Sequence, residues 1–172
     1  MVVFAASRWP LWEQAFYSDQ SPAAWLSSAQ LVATAVLALR LAGTRDLPCA
    51  GAVLLAAALF SLALDEQFLL HEQWKYGCER WWSVCRFAAV REAPILSVAT
   101  FGCAAVALMW RTVRAPVFRC FIATALAIGL LAIVVDLAEA PALLVPLEEA
   151  LEVLAEALFI GALLAVPRGP AS

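Results

Sequence analysis

Five stretches of the chain, residues 22–41, 49–72, 94–111, 117–139 and 147–166, run mainly apolar for roughly twenty residues, some of them only by admitting acids. No other feature restricts the fold as much. An α-helix rises about 1.5 Å per residue, so about 20 apolar residues match the roughly 30 Å hydrocarbon core of a bilayer. In lipid, every backbone N–H and C=O must be paired within the segment, and an open sheet edge has no partner there. The stretches are rich in Ala and Leu and lack the alternation of barrel strands. The expected fold is all-α: an integral membrane helical bundle of five transmembrane helices, with 1–172 forming a single domain and 1–20 an interfacial segment. Composition agrees, because 65% of residues are hydrophobic and only 15% are charged, outside the usual mixture of a soluble domain.

The opening "MVVFAASRWPLWEQAFYSDQ" lacks a basic region followed by a continuous apolar run and a small-residue cleavage site, so it does not read as a signal peptide. Trp9, Trp12, Phe16 and Tyr17 suit headgroup depth instead. The net charge is −3 and there is no basic run or basic-aromatic face, which excludes nucleic acid as an expected partner and leaves the lipid bilayer.

With alternating crossings, one side carries Arg40, Arg45, Arg111, Arg114, Arg119 and Arg168, and the other Arg8, Lys75, Arg80, Arg86 and Arg91. The first side has tight, nearly acid-free connections, and the second has a longer loop and the uncharged turn "PALLVP". The first is therefore expected to be cytoplasmic, in a bacterial cytoplasmic membrane. Cys78 and Cys85 of "GCERWWSVC" fall on the outer side, whereas Cys49, Cys103 and Cys120 read as small apolar residues. A disulfide between Cys78 and Cys85 requires a bend. Seven helical residues separate Cα atoms by about 10 Å, beyond the usual limit of about 7 Å.

The same alternation gathers the acids. Asp65, Glu66 and Glu72 end the second stretch, Asp136 and Glu139 end the fourth, Glu92 precedes the third, and Glu148, Glu149, Glu152 and Glu156 open the fifth. With Glu79 of the outer loop, 11 of the 14 acids lie near the outer half. At 100° per residue the four glutamates of the fifth stretch share one face over two turns. Asp136 continues a line through Ala132, Gly129 and Ala125, a small-residue track suited to close helix approach. His71 points about 120° away from Asp65 on a continuous helix, so the two are not automatic partners.

A charge at mid-bilayer costs about 2.5–3.5 kcal/mol on insertion scales, so such acids face a bundle interior, a water cavity or a partner. Clustered carboxylates also repel unless some are protonated, a basic side chain approaches, or a cation binds. Arg86 or Arg91 is the expected counter-charge, since Arg suits bidentate carboxylate pairing. Glu148 and Glu149 also suit a helix N-terminus at the interface.

"LDEQFLLHE", followed by "EEALE" at the start of a last hydrophobic helix, resembles small polytopic bacterial and archaeal membrane proteins with an LDE-x4-HE element and a later EE-x-LE element. The resemblance covers mainly the second and fifth stretches. It implies that they belong together and transfers no activity.

The leading expectation is a divalent-cation site, for Mn, Fe, Zn or Ca, formed by Asp65, His71, Glu72, Asp136, Glu149 and Glu152, with Glu66, Glu92, Glu139 and Glu156 as further acids. Carboxylate oxygens suit hard or intermediate cations, and one imidazole admits Mn or Fe. A standard di-iron bundle uses two Glu-x-x-His pairs, but Phe68 stands three residues before His71, the chain's one histidine. That shortage also argues against a multi-histidine zinc hydrolase. Two alternatives stand beside the cation site. One is a proton or cation relay, against which the apolar inner halves argue. The other is an accessory or assembly subunit of a larger membrane complex, or a homo-oligomer, whose acids pair with a partner's cations.

Overall fold

A computed structural model describes residues 22–137 and 145–167, with all their side chains except those at 72, 88, 136, 137 and 145. The interfacial segment 1–20, the turn residues 141–144, Glu139 and Arg168 lie outside the described residues.

Among the described residues every α or β element is an α-helix: α1 Pro22–Gly43, α2 Cys49–Phe68, α3 Leu70–Gly77, α4 Ala88–Arg91, α5 Ala93–Thr112, α6 Pro116–Leu137 and α7 Val145–Leu164. Short 3-10 turns at Cys78–Arg80 and Ser83–Arg86 link α3 to α4. The protein is an all-α bundle. Helix α1 begins at Pro22, α6 at Pro116, and α5 carries Pro94 in its first turn. Proline is accommodated there because the first N–H groups of a helix have no intrahelical acceptor. Helices α1, α2, α5 and the first twenty residues of α6 are long and apolar enough to cross a membrane. Helix α7 is also 20 residues long, but its sequence includes Glu148, Glu149, Glu152 and Glu156.

The helices pack side by side in the order α5, α2, α1, α7, α6. Specific contacts give the directions. A Cβ on Gly51 would lie 3.4 Å from Leu108 and Met109, and one on Gly102 would lie 4.0 Å from Ala58, so α2 and α5 are antiparallel. Ser28 bonds to the carbonyl of Ala63, and Gln67 to that of Ala24, so α1 and α2 are antiparallel. Gly129 faces Ala155 and Gly161 faces Phe121, so α6 and α7 are antiparallel. The alternation therefore holds throughout, and it brings the acid-bearing ends of α2 and α7 to one end of the bundle. The small-residue track of α6 works as its spacing suggests, with Ala125 and Ala132 each only 1% exposed.

The largest fully buried side chains, Phe118, Met109, Ile122 and Leu163, come from α5, α6 and α7 and close the bundle at the opposite end. Helices α5 and α6, joined by a three-residue turn, do not pack along their length. Outward faces remain apolar. Leu130, Leu131, Ile133 and Val134 of α6 and Leu96 and Phe101 of α5 are exposed, a surface that suits lipid contact.

One boundary differs from expectation in a way that matters. The stretch 49–72 does not form one helix: α2 ends at Phe68, and Leu69 takes a left-handed conformation (φ 51°, ψ 41°) before α3 begins. Leu69 N–H still bonds to Asp65 O at 2.7 Å and Gln73 N–H to Leu69 O at 2.9 Å, so the chain kinks with little loss of backbone pairing. The other stretches match their expected spans to within a few residues.

Candidate functional site

The kink at Leu69 assembles the first part of the site. The Asp65 carboxylate accepts the backbone N–H of His71 at 2.6 Å through Oδ1, and its Oδ2 is hydrogen-bonded to His71 Nδ1. On a continuous helix these side chains would diverge, as the periodicity implies; the single left-handed residue brings them together. Asp65 takes the role of a capping acid for α3, satisfying an N–H that helix geometry leaves without an acceptor. With Nδ1 held by the carboxylate, Nε2 is the ring nitrogen left to exchange a proton or take a cation.

The second part lies along α7 and α1. Glu156, eleven residues beyond the start of α7 and so about 16 Å along its axis, receives the Ser27 hydroxyl on Oε1 at 2.6 Å. With its amide turned so that the NH2 rather than the oxygen faces these acceptors, the Gln30 side chain donates to Glu156 Oε2 and to the carbonyl of Val153, both at 3.0 Å. A carboxyl deep in the bundle thus has donors on both oxygens, which answers the cost of leaving a buried polar group without a partner. Alongside, Gln67 of α2 donates to Ser28 Oγ at 2.8 Å and to Ala24 O at 3.2 Å. The Ser28 hydroxyl in turn bonds to Ala63 O at 3.3 Å. Ser27, Ser28, Gln30 and Gln67 did not figure among the expected site residues. Their signal was available, because Ser27, Gln30 and Thr34 follow the i, i+3, i+7 spacing of one helix face in an otherwise apolar segment.

Between these parts, Glu66 of α2 and Glu149 and Glu152 of α7 lie toward the same end of the bundle as Asp65, with Glu156 further along α7. All four carboxyls are partly buried. The arrangement is a graded series: Asp65 with His71 at the end of the bundle, then Glu66, Glu149 and Glu152, then Glu156 against Ser27 and Gln30. The side chains of Glu72 and Asp136 lie outside the described residues, as does Glu139.

The expected Arg counter-charge is not delivered to this series. Arg91 reaches Glu79 at 3.6 Å, and the Arg86 guanidinium lies over the Phe87 ring at 5.1 Å. Glu92 is likewise withdrawn from the series, pairing with Lys75 at 2.9 Å. The hydrogen bond from Lys75 holds the Glu92 carboxyl below its ordinary range, and the same bond raises Lys75. These pairs are local because the segment from α3 to α5 folds on itself as a cap. Its two 3-10 turns provide the required bend, bringing the Cα atoms of Cys78 and Cys85 to 5.9 Å in a disulfide. Trp74 meets Trp82 edge-on at 5.7 Å and donates its indole N–H to Val90 O at 3.0 Å.

Among the described residues, no group of three or more His, Cys, Asp and Glu side chains is arranged to hold a metal ion. The chemistry available to the described side chains is proton exchange at carboxyl and imidazole groups and weak, oxygen-rich coordination.

The sequence model of the domain of unknown function DUF8692 matches residues 3–166. The chain belongs to the DUF8692 family. The match takes in every helix from α1 to α7, so in this DUF8692 chain the acid series, the cap and the Arg-rich end all lie within the family's span. No curated protein and no solved structure matches the chain.

Proposed function

We propose that this DUF8692 protein is an integral membrane protein that takes protons or a cation into a blind, carboxylate-lined inlet from the side bearing the Cys78–Cys85 cap. The observation that carries the reading is Glu156, set deep in α7 and held by Ser27 and Gln30 of α1. An acid at such depth is costly without a role or a partner. Here it terminates a series that begins with Asp65 and His71 at the end of the bundle. The buried side chains of Phe118, Met109, Ile122 and Leu163 close the other end of the bundle. That closure favours a binding or sensing role over a through-pathway. Helix α7 serves as a fifth crossing, its acids facing the other helices. The Arg-rich end is cytoplasmic and the disulfide-bearing cap lies in the oxidising compartment.

A divalent ion such as Mn, Fe, Zn or Ca would require Asp65, His71, Glu72, Asp136, Glu149 and Glu152 to converge. The proton or weakly held cation needs no such chelate and agrees better with the spread of the described carboxyls. The experiment is carbodiimide modification of the detergent-solubilised protein with peptide mapping. A hydrophobic carbodiimide should modify Glu149, Glu152 or Glu156, more slowly as pH rises or as sodium, calcium or manganese is added. Absence of modification at all three, or rates indifferent to pH and to every cation, would remove this reading.

A further inference from the structure

At the end of the bundle away from the acids, a pocket of about 420 Å³ opens between three chain segments. Arg45 to Pro48 of the α1–α2 connection form one wall, Thr112 to Arg114 of the α5–α6 turn another, and Val166 and Pro167 after α7 the third. Two guanidinium side chains, Arg45 and Arg114, line it from different segments, and neither forms an ion pair among the described residues. The opposing charge is Asp46, whose carboxylate is held on its own loop by the Thr44 hydroxyl at 2.6 Å.

Arg45 occupies the left-handed position (φ 63°) that closes the cap of α1, its N–H bonded to Ala42 O at 3.0 Å and the Asp46 N–H to Leu41 O at 2.9 Å. A further observation points to an anion: this end of the bundle is basic as a whole. Arg40, Arg45, Arg111, Arg114 and Arg119 stand against Asp46 as the sole acid among the described residues there. Arg119 is already engaged, donating to the carbonyls of Trp110 and Val113 and lying over the Trp110 ring. Arg45 and Arg114 are the pair left to face the pocket.

We infer that this pocket binds a phosphate group, with Arg45 and Arg114 as its ligands, and that its apolar surroundings at a helix-bundle end suit the phosphate of an anionic lipid headgroup. Arg provides planar, paired donors matched to phosphate oxygens, and basic pockets between transmembrane helices are suited to anionic headgroups. The inference is independent of the acid series.

The test is native mass spectrometry and thermal melting of the full chain in neutral detergent, with phosphatidylglycerol as the probe. The wild type should bind and be stabilised by the lipid, and Arg114→Gln should weaken binding about tenfold. Arg45→Gly supplies the control for folding. It relieves the left-handed residue, so the lipid-free protein should melt no lower than wild type, yet the lipid-induced rise should be lost. Arg40→Gln, outside the pocket, should leave binding unchanged. Competition by inorganic phosphate would assign the site to a soluble phosphate, and indifference to it would assign the site to the lipid headgroup; either supports the phosphate pocket. Equal lipid binding by wild type, Arg45→Gly and Arg114→Gln, an equal loss in Arg40→Gln, or no binding of either probe would overturn it.

Discussion

The carboxylate of Asp65 binds both the backbone N–H and the imidazole of His71, six residues further along the chain, across a helix that breaks at Leu69. One side chain thereby caps the start of α3 and orients the imidazole. Asp65→Ala should cost about 0.5–2 kcal/mol, the range for losing a helix cap. Asp65→Asn, which keeps an acceptor for the N–H, should cost less. Hydrogen exchange at the His71 amide reports the difference, and exchange that is as slow in Asp65→Ala as in wild type would show that the carboxylate does not hold the kink.

Removing the Ser27 hydroxyl should destabilise the bundle by about 1–3 kcal/mol, because Glu156 loses a donor in a partly buried setting. Ser27→Ala combined with Glu156→Leu should lose less than the sum of the two single changes, since the second removes the group left without a partner. Melting temperatures of the four proteins in a double-mutant cycle measure the coupling. Strict additivity would place the two side chains out of contact.

Gly161 sits against the ring of Phe121, and a Cβ at that position would approach Phe121 Cε1 to 3.1 Å. Gly161→Val should therefore destabilise the α6–α7 contact by about 1–3 kcal/mol through overpacking. Adding Phe121→Ala should recover part of the loss. A Gly161→Val protein that melts with wild type would show that the ring yields freely.

The Lys75–Glu92 pair links α3 to the start of α5 and should make the cap sensitive to pH at both extremes. Glu92 is held below its ordinary value of 4.5 chiefly by the hydrogen bond from Lys75. Its contribution is thus complete above that value and is lost as pH falls through the lowered one. Lys75 is raised above its ordinary 10.5 by the same bond, so its contribution is complete below that value and disappears as pH rises through the raised one. The protection of the cap amides, their exchange rates compared with the intrinsic rates at each pH, should stay high over the neutral range and fall at both extremes. Lys75→Met should flatten the profile, as should high salt, because the pair is exposed.

The Cys78–Cys85 disulfide gives a direct reading of sidedness. On intact cells an impermeant thiol reagent should label these positions only after reduction, because disulfides persist in oxidising compartments. Labelling that requires permeabilisation would invert the proposed orientation. Replacing both cysteines with serine should loosen the cap by about 2–3 kcal/mol, the scale of a short closed loop.

The linear chain determined the class of fold and the alternation that brings the acid-bearing ends of α2 and α7 to one end of the bundle. Both follow from one-dimensional quantities: a helical rise matched to apolar run length, and the alternating direction that successive spanning helices must take. The close approach of α6 and α7 was legible for the same reason, since Ala125, Gly129 and Ala132 lie on one helical line. Tertiary structure decided what the acids meet. The Asp65–His71 pair depends on one residue, Leu69, entering a left-handed conformation, and helical periodicity extended through that point moves His71 away. The disulfide similarly depends on two 3-10 turns in a stretch too polar and aromatic to show a period. Ser27 and Gln30 reach Glu156 only because α1 lies between α2 and α7. Such lateral order is set by which small-residue faces fit together in three dimensions, and apolar stretches of nearly equal hydrophobicity carry little information about it. The pocket framed by Arg45 and Arg114 is decided in the same way, since it exists only where three connections distant in the chain converge at one end of the packed bundle.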